Sequence, residues 1–179
     1  MKPLILRPEP QASALAEQLR NVGHDPVVSP LLSIVAGDDL PLLATALSNH
    51  DRLIAISSHA VGQAATWLAQ QGLSWPAIPT FAVGAATAAC WQENGVAAQV
   101  PDDARSEGLL DLPALHDVAG CRILILRGNG GREFLAEQLR ARGALVDYCE
   151  CYRRHWRPLD GETLCTQWRT AGVDSVIIS

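Results

Sequence analysis

The sequence predicts an α/β protein built from two similar domains, each with a parallel sheet. Three observations predict it. Strand-like and helix-like segments alternate from the first residue to the last, one strand–loop–helix–glycine unit occurs twice, and small, hydroxylated or cationic residues follow the strands and precede the helices.

The elements follow in order from periodicity and stop signals. Residues 4–6 read as a short buried strand. Residues 12–21 carry Ala12, Leu15, Ala16 and Leu19 at helical spacing, and Gly23 stops the helix. Residues 26–28 are a second strand. A strand over 53–56, a helix over 60–71 closed by Gly72, and a strand over 80–83 come next. A helix over 87–93 is closed by Asn94-Gly95 and followed by a strand over 98–100. Ser106, an N-cap type of residue, precedes a helix over 107–112. Residues 122–126 are a strand, 132–140 a helix closed by Gly143, 145–152 extended, 162–170 helical, and 175–178 a strand.

The repeat is the most informative feature. Leu4-Ile5-Leu6-Arg7 recurs as Leu124-Ile125-Leu126-Arg127, Leu15-Ala16-Glu17-Gln18-Leu19-Arg20 as Leu135-Ala136-Glu137-Gln138-Leu139-Arg140, and Gly23 as Gly143. The matches hold one offset without a gap, so a single supersecondary unit has been used twice, in two domains rather than one sheet. A weaker echo links Ile54-Ala55-Ile56-Ser57 to Val176-Ile177-Ile178-Ser179.

Composition bounds the class. Of 179 residues, 48% are apolar and 18% charged, which supports a substantial core and argues against disorder. No apolar run approaches the ~18 residues that span a bilayer, and the start, Met1-Lys2-Pro3, is charged too early for a secretory leader, so a cytoplasmic protein with no membrane partner is expected. A formal charge of −5 argues against general nucleic-acid binding. The five cysteines suit no disulfide framework. Cys149 and Cys151 have no second Cys/His pair at zinc spacing, and read as neighbours on one face of a strand, with no metal site.

Ligands of open parallel sheets collect beyond the carboxyl ends of the strands. The residues there are Arg7, Ser57-Ser58-His59, Gly84-Ala85-Ala86-Thr87, and Arg127-Gly128-Asn129-Gly130-Gly131-Arg132. Helix N-termini offer unpaired amides and a positive dipole end, so this rim suits carboxylate or phosphate. The bland alternative is that Ser57, Ser58 and Thr87 cap helices and the arginines are solvated. Gly128-x-Gly130-Gly131 falls short of a dinucleotide fingerprint, because Glu133 stands where the third glycine belongs. Walker A, G-x-S-x-G and H-E-x-x-H are absent, and adjacent Ser58 and His59 do not form a nucleophile–base pair. His24, His50, His116 and His155 read as scattered surface residues, and the five tryptophans as packing groups.

These residues, in this order, resemble the uroporphyrinogen-III synthase family. The resemblance rests on Leu6-Arg7-Pro8, Gly23-His24, Pro30-Leu31-Leu32-Ser33-Ile34, Ile56-Ser57-Ser58-His59-Ala60-Val61, Ala82-Val83-Gly84-x-x-Thr87-Ala88, Ser106-Glu107-Gly108-Leu109-Leu110, Leu124-x-Leu126-Arg127-Gly128-x-Gly130-Gly131-Arg132 and Tyr152-Arg153-Arg154. It implies two parallel-sheet domains joined by a two-stranded linker, with an interdomain cleft. Residues 1–34 and 154–179 would form domain one, 38–148 domain two, and 35–37 and 149–153 the linker strands. Family members continue past the position of Ser179, so domain one is expected to be cut short here and to expose apolar sheet surface.

The resemblance also implies the chemistry. The substrate would be hydroxymethylbilane, a linear tetrapyrrole rich in carboxylates, cyclised with loss of water and inversion of one ring, with no cofactor and by a monomer. Arg7, Ser57, Ser58, His59, Gly84, Thr87, Arg127, Gly128 and Arg132 would bind the substrate. Tyr152 would be the acid assisting water loss, or else a buried linker aromatic. A non-catalytic two-domain binding module for a polyanionic small molecule, or a nucleotide-dependent enzyme, are the alternatives.

Overall fold

The structure, a computed structural model, describes residues 1–178. Its strands are β1 (Pro3–Ile5), β2 (Val27–Val28), β3 (Leu32–Ala36), β4 (Arg52–Ala55), β5 (Thr80–Ala82), β6 (Arg122–Gly128), β7 (Leu145–Trp156) and β8 (Ser175–Ile177). Its α-helices are α1 (Gln11–Asn21), α2 (Leu43–Ser48), α3 (Ser58–Gln70), α4 (Ala85–Glu93), α5 (Ser106–Asp111), α6 (Phe134–Ala141) and α7 (Gly161–Thr170). The chain divides into two compact units, Met1–Val35 with Arg154–Ser179, and Ala36–Arg153; the boundaries fall inside β3 and inside β7.

The larger unit is built on a sheet of order β3-β7-β6-β4-β5. Within it β6 runs parallel to both β4 and β7, and β4 parallel to β5. Parallel neighbours require helical crossovers, which is why this region reads as strand, helix, strand. Ile123 and Ile125 of β6 pack with Ile54, Phe81 and Val146 beneath Leu109 of α5 and Leu135, Ala136 and Leu139 of α6. Burying each large aliphatic side chain contributes about 1.5–3 kcal/mol.

The smaller unit has a parallel sheet of order β2-β1-β8, with Ile5, Ala12 and Ala16 at its centre and Leu15, Leu19, Val28 and Ile177 around them. Helix α7 buries no residue, and Val176 of β8 is 52% exposed. The repeated segments therefore lie in different sheets, β1 in one and β6 in the other. They end alike. The amide of His24 donates to Leu19 O at 3.0 Å and that of Ala144 to Leu139 O at 3.1 Å, with Gly23 and Gly143 left-handed between helix and strand. A side chain at such a φ is strained, so glycine marks both helix ends. Ser179, the last residue of the weaker echo, lies outside the described residues.

Several local expectations are corrected. The helix expected over 132–140 starts at Phe134, with Glu133 at its N-cap, because Gly130 and Gly131 before it hold positive φ. Residues 98–100 form no named strand; Gln99 makes an isolated bridge with Phe81 before Pro101. Ser106 is not the cap of α5: Arg105 holds the N-cap position, without a side-chain cap bond. Helix α2 was not expected, although Leu40, Leu43 and Leu47 stand at helical spacing and are the residues it and the turn before it bury. His50 is buried rather than on the surface, with Nδ1 2.6 Å from Ala46 O and Nε2 3.0 Å from the Asp147 carboxylate, so it ties the end of α2 to β7. Trp91 is buried edge-on against Trp75, as packing groups are, but Trp156 is 66% exposed.

Candidate active site at the carboxyl edge of the larger sheet

Strands β5, β4 and β6 are neighbours in register, Ala82 and Leu126 both level with Ala55. Their carboxyl ends therefore bring together three of the four sequence-selected loops: Ser57-Ser58-His59, Gly84-Ala85-Ala86-Thr87, and residues 127–132. Arg7 follows β1 in the other unit and is not part of this edge.

Ser57 and Gly84 occupy the N-cap positions of α3 and α4 with extended backbones and no side-chain cap bond. The first amides of a helix have no partner within it, so both helix starts offer donors at this edge. Ala85 and Ala86 are exposed there, whereas Thr87 is only 4% exposed. The exposed residues of this turn are thus the two alanines. Gly84 is itself packed, since a Cβ there would come within 3.0 Å of Ala104 Cβ.

Instead of capping α3, the Ser57 hydroxyl lies 3.3 Å from the Tyr152 hydroxyl. These residues are 95 positions apart. Tyr152 is 3% exposed, and its ring is tilted 59° to that of His59 with centroids 5.6 Å apart. What places Tyr152 is an irregularity in the β6–β7 pairing: Arg127 faces Glu150, but Gly128 faces Tyr152, so Cys151 is skipped. A bulge of this kind re-aims the following side chain. The ring then lies over Gly128, where any Cβ would be 2.3 Å from it, and the Asn129 amide donates to Tyr152 O at 2.9 Å. Gly128 is therefore a seat for the Tyr152 ring.

Arg127 departs furthest from expectation. It is 2% exposed, and its guanidinium turns into its own loop. Nη1 donates to Glu133 Oε1 at 2.8 Å, Nε to Gly128 O at 3.3 Å, and Nη2 to Gly130 O. The guanidinium stacks 4.4 Å from the centroid of the Tyr148 ring, and the Tyr148 hydroxyl donates to Glu133 Oε2 at 2.6 Å. A charge this buried must be paired, and here it is paired on every side. The Tyr148 and Arg127 hydrogen bonds hold the Glu133 carboxyl below its ordinary range. Burial, then the Glu133 bond, pushes the Tyr148 phenol up to about 12. Sequence reasoning noticed Glu133 only as the residue that spoils a glycine motif, and it passed over Tyr148. Neither charge nor spacing shows a pairing made through the fold.

Arg132 remains a surface cation. Its side chain is 72% exposed, pairs with Glu107 Oε1 at 3.1 Å, and lies 5.5 Å from the centroid of the Phe134 ring. Cys149 and Cys151 lie buried with sulfurs 3.6 Å apart, and the hydrogen bond to Cys149, then burial, drives the Cys151 thiol pKa upward. No group of three metal-ligating side chains occurs among the described residues. None of their helices is long and apolar enough to cross a membrane.

The family model described as uroporphyrinogen-III synthase HemD matches residues 13–179. The chain is 44% identical over 185 residues to the uroporphyrinogen-III synthase of Salmonella typhimurium, spanning 100% of this chain and 75% of that protein. Identity to the Escherichia coli uroporphyrinogen-III synthase is 42% over 185 residues, with the same coverage. With that of Proteus mirabilis it is 38% over 180 residues, spanning 97% of this chain and 90% of that one. Among solved structures, a mutant uroporphyrinogen III synthase from Thermus thermophilus superposes with a TM-score of 0.65 at 18% identity, over 98% of this chain and 71% of that one. A uroporphyrinogen-III synthetase from Helicobacter pylori gives 0.53 at 17% identity, over 93% and 68%. Those two likenesses bear on the fold, which is the α/β, parallel-sheet fold described above.

Proposed function

The chain belongs to the uroporphyrinogen-III synthase family, and on that basis we propose that it converts hydroxymethylbilane to uroporphyrinogen III. The observation that carries this is the 44% identity sustained across the whole chain. The reaction loses the terminal hydroxyl of the bilane as water, leaving an electrophilic azafulvene on the first ring. The substituted carbon of the last ring attacks it, and the resulting spiro intermediate fragments and recloses with that ring inverted. Free in water, the bilane closes without inversion, so the protein's task is to hold the two chain ends in the productive geometry.

Tyr152 is the proposed acid: its hydroxyl proton goes to the departing hydroxyl, and the phenolate left behind accepts a hydrogen bond from Ser57. The supporting observation is the 3.3 Å contact between the two hydroxyls. Substrate carboxylates are assigned to the start of α3 (Ser57, Ser58, His59), to the turn after Gly84 and to Arg132. Local donors can hold an anion on a chain of net charge −5, because near charges outweigh the sum. Thr87, Arg127 and Gly128 support these groups from behind.

The test is to supply hydroxymethylbilane to the protein and separate the uroporphyrinogen isomers. The type III isomer is expected in excess. Formation of the uninverted isomer alone, at the rate seen without protein, would overturn the reading.

A further inference from the structure

The guanidinium of Arg127 is buried, and it connects to Tyr152 through the backbone. It donates to Gly128 O, Gly130 O and Glu133, so it spans the loop from its first residue to its end. The same loop carries the glycine on which the Tyr152 ring sits and the Asn129 amide that donates to Tyr152 O. A second tie runs from the Gly130 amide to Glu150 Oε1 at 3.3 Å. The loop is glycine-rich, with φ of +67° at Gly130 and +113° at Gly131. Left alone, glycines of this kind sample many conformations. The guanidinium is itself held on both sides: Tyr148 is stacked against it and donates to Glu133, which in turn accepts from Arg127. A planar, five-donor group locked in this way keeps its geometry better than a lysine could.

We propose that Arg127, oriented by Glu133 and Tyr148, is a positioning residue that locks residues 128–131 beneath Tyr152 and so sets the reach of the tyrosine hydroxyl. This rests on Tyr152 being the acid. It gives Arg127 a role other than substrate binding, and it brings Glu133 and Tyr148 into the function of the site. Both act through the loop.

A double-variant cycle tests it. Tyr148→Phe removes one hydroxyl and keeps the ring; Glu133→Ala removes the acceptor of both bonds. In the unaltered background each is expected to lower turnover of hydroxymethylbilane about three- to tenfold, with KM changed less than about twofold. In the Tyr152→Phe background the same changes are expected to alter turnover less than about twofold, because the hydroxyl they position is gone. A merely structural role predicts the same fold-loss in both backgrounds, and that result overturns the inference alone. Full turnover in both single variants also overturns it. Full turnover by Tyr152→Phe itself removes the acid assignment and this inference with it. Should Glu133→Ala fail to fold, Tyr148→Phe, which takes away only a hydroxyl, decides the matter.

Discussion

The ring of Tyr152 fills the space that a side chain on Gly128 would need: a Cβ there would stand 2.3 Å from the ring. Backbone on β6 and side chain on β7 are thus fitted to each other across the bulge at Cys151. Gly128→Ala is expected to push the ring away, destabilising the fold by about 1–3 kcal/mol and cutting turnover. Adding Tyr152→Ala should cost less in the Gly128→Ala background than in the wild-type one, and should restore none of the activity. Denaturant unfolding of the single and double variants measures both, and additive losses would show that the two residues do not share the space.

Tyr152→Phe keeps the ring on its seat and removes only the hydroxyl near Ser57. Turnover is expected to fall about tenfold or more with little change in KM, since help from an acid is felt in the transition state. The uninverted isomer should rise in proportion, because bilane that leaves the protein closes spontaneously. Retained turnover and isomer purity would make the tyrosine structural.

Arg132 should separate binding from folding. Its pairing with Glu107 is solvated, and such pairs contribute about 0–1 kcal/mol, so Arg132→Ala should unfold at nearly the wild-type denaturant concentration. If it holds a substrate carboxylate, the loss of that bond raises KM roughly ten- to a hundredfold. An unchanged KM would return Arg132 to the solvated surface.

The Tyr148–Glu133 pair makes stability depend on pH at both extremes. The Tyr148 phenol is raised from 10.0 to about 12 in the folded protein, so its contribution is intact below pH 10 and is lost as pH climbs through about 12. Glu133 is lowered, so its contribution is present above its ordinary value of 4.5 and is lost as pH falls through the depressed folded value. Urea midpoints against pH should therefore fall less steeply on the alkaline side for Tyr148→Phe, and on the acid side for Glu133→Gln. Curves parallel to wild type would refute the coupling.

Much of the architecture was legible in order along the chain. The repeat announced one unit used in two sheets, and Gly23 and Gly143 marked its ends because a left-handed residue after a helix is a local requirement. The loops at Ser57, Gly84 and Arg127 were located because a strand followed by a helix leaves its connection at the carboxyl edge. What tertiary structure decided was which way each side chain in those loops turns. Ser57 looked like a cap, and it meets a tyrosine 95 residues away. Arg127 looked like a surface cation, and Glu133 and the ring of Tyr148 draw it inward. His50 looked exposed, and Asp147 of β7 holds it. The physical reason is the same in each case. Backbone preferences and glycine sterics act over a few residues and are written in sequence order, whereas the partner of a polar side chain depends on strand order and register. Skipping a single residue at Cys151 brought Tyr152 opposite Gly128, and no periodicity in the sequence records that step.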